Sequence, residues 1–82
     1  MKLKLYQEVA ITRDIPNENL KAGDVAVLID YVSHPRGGEE GAILEIMNAV
    51  GETLAVATVP ASAIASLRAD QVPAVRMILQ PA

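Results

Sequence analysis

The chain has 82 residues, enough for one domain, and a formal net charge of −3 that repels phosphate backbones and anionic membranes. It has no cysteine, which excludes disulfide bonds and thiolate metal sites, and no run of about 18 apolar residues that could cross a membrane. It also lacks phenylalanine and tryptophan, so we expect an aliphatic core. The first seven residues include two lysines but no continuous apolar stretch behind them, as a signal peptide would need, so we expect a cytoplasmic protein.

The first predicted element is a strand over residues 5–13, because the apolar residues Val9 and Ile11 alternate with polar or small ones. Pro16 ends the strand, since proline restrains the residue before it and has no N–H group for a ladder. The polar residues that follow predict a wide turn. After this turn, Leu20 is expected to fold back on the core as a plug.

Gly23 and Asp24 predict a tight turn that opens a second strand over residues 25–32. This strand is almost continuously apolar. Such a run is expected when both faces of a strand are covered, or when the strand coils between two sheets of a barrel. The longest polar loop follows at residues 33–41, and its Gly37-Gly38 pair is a strong turn signal.

The second half of the chain is predicted to form three more strands. In chain order the elements are a third strand (42–47), a hairpin turn (48–52), a fourth strand (54–59), a helical turn (60–64) and a fifth strand (71–79). Because alanine is the best helix former, the helical turn could extend to Ala69. Pro73 predicts an edge position for the fifth strand.

This order of elements resembles a family of small, mostly stand-alone bacterial domains of unknown function with an SH3-like fold. The resemblance spans nearly the whole chain and is carried by Leu5, Tyr6, Val9, Ile11, Asp14, Ile15, Pro16, Leu20, Gly23, Asp24, Val25, Leu28, Ile29, Pro60, Ala61, Ile64, Val75 and Arg76. The chain departs from the family pattern at Ala26, where the family has a second glycine. Its third strand keeps the acidic Glu45 but lacks the family's aromatic residue.

The expected fold is therefore all-β: a small five-stranded SH3-like barrel with one short helical turn before the last strand, forming a single domain over residues 1–82. The resemblance also implies that the protein works beside a partner encoded nearby, of the toxin–antitoxin or immunity type. The family offers no catalytic residue to transfer to this chain.

The loop at residues 33–41 contains the candidate binding residues His34, Arg36, Glu39 and Glu40. In a functional interpretation, His34 shuttles protons and Arg36 clamps an anion. The alternative, which we favour, is a solvated hairpin loop whose charges aid solubility. One histidine without cysteine supplies too few ligands for a metal site. Ser33 is the neighbour of His34, but adjacent residues rarely meet side chain to side chain in the geometry that nucleophilic catalysis needs. We therefore predict no metal, no cofactor and no enzymatic activity.

Charge is concentrated in the first half of the chain, while the second half holds ten of the thirteen alanines. A surface so poor in charge exposes apolar groups, which often mark protein contacts. The candidate interface residues are Ala55, Ala57, Met47 and Met77. The alternative is that alanine simply fills a tight, small barrel.

These observations favour a non-enzymatic interaction module that binds a second copy of itself or one protein partner through its alanine-rich half. A nucleic-acid-associated barrel is the alternative from another class. It would use a basic cluster formed by Lys2, Lys4, Arg13 and Lys21. A small-ligand or enzymatic role for the 33–41 loop ranks third.

Overall fold

The computed structural model describes residues 2–77, which form one five-stranded antiparallel sheet. The strands are β1 (Glu8–Ile11), β2 (Val25–Val32), β3 (Gly41–Met47), β4 (Thr53–Pro60) and β5 (Ile64–Ser66). Their order across the sheet is β4-β3-β2-β1-β5, so β4 and β5 are its two edges. Within the described range the only helical elements are two 3₁₀ turns, Pro16–Glu18 and Ala61–Ala63. The prediction of an all-β fold with five strands is confirmed.

The core lies on one side of this sheet and is built from aliphatic side chains. Buried and less buried residues alternate along β3, where Ala42, Leu44 and Ile46 face inward as their spacing predicts. The buried hydrophobic residues are Val9, Ile11, Ile15, Leu20, Ala26, Leu28, Ala42, Leu44, Ile46, Ala57, Val59, Ala63 and Ile64. No polar or charged side chain within residues 2–77 is buried.

The wide turn between β1 and β2 folds back on the core as the sequence predicts. A backbone bridge joins Ile15 to Leu20 across the 3₁₀ turn, and Asn19 takes a left-handed conformation with φ of 56°. Leu20 is only 3% exposed, so its predicted role as a plug is confirmed.

A second, tighter turn at Gly23 and Asp24 leads into β2. Gly23 has a φ of 93°, a conformation that residues with a Cβ rarely adopt, and its N–H donates to the carbonyl of Ile11 at 2.7 Å. The Asp24 carboxylate accepts a hydrogen bond from the backbone N–H of Lys21 at 2.9 Å. This glycine–aspartate pair therefore sets the fold of the turn.

The predicted fifth strand is misplaced. The last strand comes directly after the 3₁₀ turn, where Ile64 leaves the turn in an extended conformation and pairs with Ile11 of β1. The 3₁₀ turn therefore does not extend to Ala69. Residues 71–77 contain no strand, because the place beside β1 is already taken, whereas residues 78 and 79 lie outside the described residues.

The segment after β5 is anchored to the domain by Arg76. Its guanidinium donates two hydrogen bonds to the Asp24 carboxylate, at 2.7 Å and 2.5 Å, and a third to the backbone carbonyl of Asn19 at 3.0 Å. The bond from Arg76 holds the pKa of Asp24 below its ordinary value. Val72, Val75 and Met77, in contrast, are more than four-fifths exposed.

The other strand boundaries agree with the predictions to within a few residues. β2 has the predicted bounds, β3 and β4 are slightly longer than predicted, and β1 is shorter at both ends. In β2 the register shifts between Leu28 and Asp30, where a bulge bends the strand. Among residues 2–77, no helix is long and apolar enough to span a bilayer.

Candidate functional site

The 33–41 loop holds His34 and Arg36 in one turn. The backbone N–H of Arg36 donates to Nδ1 of His34 at 3.1 Å, and the N–H of Gly37 donates to the His34 carbonyl at 3.2 Å. Nδ1 therefore acts as an acceptor, which places the proton of the neutral ring on Nε2. A Cβ on Gly38 would lie 2.9 Å from Cγ of the imidazole, so the ring packs directly on the glycine backbone. His34 thus has a structural role as the organiser of this turn.

Glu39 connects the loop to the 3₁₀ turn that precedes β5. Its carboxylate accepts a hydrogen bond from the backbone N–H of Ser62 at 2.7 Å. Hydrogen bonds from Ser62, assisted by the positive charge of Arg13, lower the pKa of Glu39. Arg13 itself donates to the Ser62 hydroxyl at 3.3 Å. These contacts of Glu39 therefore hold the loop against the 3₁₀ turn.

Glu40 points to a different neighbour. Its carboxylate lies 2.7 Å from the ammonium of Lys2, which also sits 4.9 Å from the centre of the Tyr31 ring. The hydrogen bond and the charge of Glu40 raise the pKa of Lys2. The Tyr31 hydroxyl in turn accepts a hydrogen bond from the N–H of Leu3 at 3.0 Å. These contacts dock the first residues of the chain on the end of β2.

The two glutamates of the loop therefore do not converge on one point. Residues 2–77 contain no group of three histidine, aspartate or glutamate side chains arranged to hold a metal ion. The basic residues proposed for nucleic acid are also partly engaged. Lys2 is paired with Glu40, and Arg13 lies beside Ser62 and Glu39, so carboxylates offset two of the four positive charges.

The structure separates the four candidate interface residues. Ala57 is only 4% exposed and lies in the core opposite Leu44, which removes its side chain from any surface that a partner could contact. Ala55, Met47 and Met77 are exposed. Met77, however, belongs to the segment after β5, whereas Met47 and Ala55 lie on β3 and β4. With Ala57 buried, the four residues cannot all belong to one exposed patch.

A larger exposed surface is the side of the sheet that faces away from the core, which we call the outer face. Residues paired across neighbouring strands lie on the same side of a sheet, so the register identifies its members. One row runs Glu8, Val27, Glu45, Val56, and the next runs Asp30, Ile43, Thr58. The face also includes Ala10, Val25, Val32, Gly41 and Ala65.

The outer face is largely apolar and open to solvent. Val56 has 60% of its surface exposed, Val32 is also exposed, and Val27 and Ile43 are half-buried. A monomeric domain usually places polar side chains on the solvent side of an antiparallel sheet. The sequence contains a signal for this surface, because the continuous apolar run of β2 predicts a strand that is covered on both faces or that coils between two sheets of a barrel. Within the described residues, however, the core covers only one of those faces.

One end of the outer face deepens into a groove of about 470 Å³ between β4 and the 33–41 loop. Val32, Gly41 and Thr58 contribute to its lining from the sheet, and His34 and Pro35 from the loop. A Cβ on Gly41 would lie 3.0 Å from Val32 and 3.1 Å from Thr58, so the absence of a side chain keeps this place open. The groove and the outer face form one continuous surface.

Comparison with known proteins gives no further assignment. No family model, no curated protein and no solved structure matches this chain.

Proposed function

We propose that this protein is a non-enzymatic interaction module that binds another polypeptide through the outer face of its sheet. The observation that carries the proposal is the row of Val27 and Val56 beside Ile43, which leaves apolar side chains in contact with water. Covering such a surface is favourable by about 25 cal/mol for each Å² of apolar area removed from water. The partner would supply the second layer that a sheet with an apolar face normally requires.

We also propose a more specific fold than an all-β sheet, namely an SH3-like barrel. Two features support it. β5 returns to pair with β1 after the 3₁₀ turn. The register shifts leave one extra residue in β2, Ile29, and one near the start of β4, Leu54, which allows these two strands to coil. Coiling of this kind would curve the sheet around the aliphatic core and leave the outer face convex.

The contacts of the loop residues support a binding function over catalysis. His34, the single imidazole of the chain, uses Nδ1 for the amide of Arg36 in its own turn. Glu39 and Glu40 are held by Ser62 and Lys2. We therefore assign the loop the role of shaping one wall of the groove at the end of the outer face.

Replacing Val56 with aspartate is expected to abolish binding. The substitution places a charge on the outer face at the edge strand β4, next to the carboxylate of Glu45, where burial without a partner is costly. We expect the wild-type chain, expressed together with the products of its neighbouring genes, to co-purify with one of them or to form an oligomer by light scattering. The Val56→Asp variant should lose this association by at least about tenfold in affinity, equal to about 1.4 kcal/mol.

Val50→Asp is the matched control. Val50 is 79% exposed in the turn between β3 and β4, away from the outer face, so this variant should bind as the wild type does. Circular dichroism would establish that both variants are folded. A wild-type chain that remains monomeric and retains none of the neighbouring products would contradict the proposed function, as would equal losses in the two variants.

A further inference from the structure

The charges of the outer face identify the kind of polypeptide that fits it. The five strands together contain three charged residues, Glu8, Asp30 and Glu45, and all three are acidic. The register places all three on the outer face. None of the seven lysine and arginine residues lies in one of these strands. Lys2 is paired with Glu40, Arg13 lies beside Ser62, and Arg76 is bound to Asp24. The outer face therefore combines aliphatic side chains with charge of one sign.

The spacing of the carboxylates is also defined. Glu8 and Glu45 lie on either side of Val27 in the same row, on β1 and β3. Two strand spacings separate them by about 10 Å. Residues seven apart on an α-helix are separated by about 10.5 Å along its axis and lie on the same side of it. A helix that lies across the strands can therefore place one cation near each glutamate.

From these observations we propose that the outer face binds an amphipathic helix with an aliphatic stripe flanked by lysine or arginine. This inference rests on the proposed function and specifies its partner. Cations on the helix would meet Glu8 and Glu45, while its aliphatic side chains would cover Val27, Ile43 and Val56. The groove lined by Gly41 and Thr58 would receive an apolar side chain at one end of the helix.

A second copy of this chain fits the same surface less well. Two outer faces packed together would bring the acidic rows of both copies into one interface. Carboxylates near one another in a desolvated contact are unfavourable and act against that pairing. The net charge of −3 on each copy adds to the repulsion.

The test uses two synthetic peptides of about 16 residues, long enough to form a helix on binding. Both carry leucine at helical spacing, and their polar positions are lysine in one peptide and glutamate in the other. They would be titrated into the ¹⁵N-labelled protein. We expect the leucine–lysine peptide to shift amide signals of outer-face residues and the leucine–glutamate peptide to cause no such shifts.

A pair of matched variants tests the role of the carboxylates. The double variant Glu8→Gln, Glu45→Gln should bind the leucine–lysine peptide about tenfold more weakly. The double variant Glu18→Gln, Asp70→Asn also removes two negative charges, but from residues that are not part of the outer face. It should change the affinity by less than about twofold.

Three results would overturn the proposed helix. They are equal binding of the two peptides, shifts located away from the outer face, and equal losses in the two double variants. A failure of this kind is distinguishable from failure of the proposed function. If Val56→Asp still disrupts an oligomer or a complex with a neighbouring gene product, the outer face binds protein but does not select a cationic helix.

Discussion

Replacing Leu44 with alanine is expected to lower the free energy of unfolding by about 3 kcal/mol. Leu44 has no exposed surface and sits on β3 between Leu28 of the central strand and Ala57 of β4. Its removal would leave a cavity, and buried leucine-to-alanine changes cost about 2–5 kcal/mol. A domain of this size has a total stability of about 4–12 kcal/mol, so much of it would be lost. Urea unfolding followed by circular dichroism measures the change.

Val56→Ala on the outer face provides the comparison. Its side chain is mostly exposed and should contribute less than about 1 kcal/mol to folding. If both substitutions destabilised the protein equally, Val56 would belong to the core and the outer face could not be a free binding surface. Conversely, Val56 should matter for association and Leu44 for folding.

Asp24→Asn is expected to lower stability by about 1–2 kcal/mol at neutral pH, because it weakens the charge-assisted hydrogen bonds to Arg76. The change is nearly isosteric and leaves the turn at Gly23 in place. It should also release the segment around Arg76, and cleavage by trypsin after that residue should become faster.

This contribution depends on pH in a defined direction. Arg76 holds the pKa of Asp24 below its ordinary value of 3.8, so the folded state favours the charged carboxylate. The stabilisation is therefore complete above about pH 5 and is lost as the pH falls through the lowered pKa. The difference between the wild type and Asp24→Asn, measured by urea unfolding, should shrink in acid.

Asp70→Asn is the control for the same chemical change. Asp70 pairs with Arg68, but both side chains are well exposed, at 64% and 72%. Exposed pairs contribute little, so this variant should lose less than about 0.5 kcal/mol. Equal effects of the two substitutions would mean that the Asp24–Arg76 contact does not anchor the segment after β5.

Local pattern predicts much of this fold. Alternation around Val9 and along β3 is short-range information, and the inward side of each strand follows from it directly. The plug at Leu20 and the turn at Gly23 are also readable, because the residue types required by those conformations stand next to one another in the chain.

The last strand could not be predicted in the same way. Residues 71–79 have the composition of a strand, whereas Ile64–Ser66 is short and follows an alanine-rich turn. Which of these two segments pairs with β1 depends on contacts between residues far apart in the chain. Ile64–Ser66 forms the strand because Ile64 reaches the core directly after the 3₁₀ turn. Arg76 is recognisable as charged, but its contact with Asp24 joins residues 52 positions apart.

The candidate binding surface could be predicted only in part from the sequence. The apolar run of β2 indicated a strand that is covered on both faces or that coils in a barrel. The outer face itself depends on the register, which places Glu45 between Val27 and Val56. Alanine content left two interpretations open, an interface or the filling of a small core, and the burial of Ala57 opposite Leu44 fits the second one at that position. The acidic character of the face is likewise a property of the strand pairing.

The two tyrosines of this protein lie in different environments, so their near-ultraviolet absorption and circular dichroism should differ. Tyr6 is 76% exposed, whereas Tyr31 is half-buried, bonded to Leu3 and covered by the ammonium of Lys2. With no tryptophan or phenylalanine in the chain, the near-ultraviolet signal comes from these two rings alone. Changes in that signal would therefore report the docking of the first residues on β2, and a single introduced tryptophan would have no other tryptophan to compete with its fluorescence.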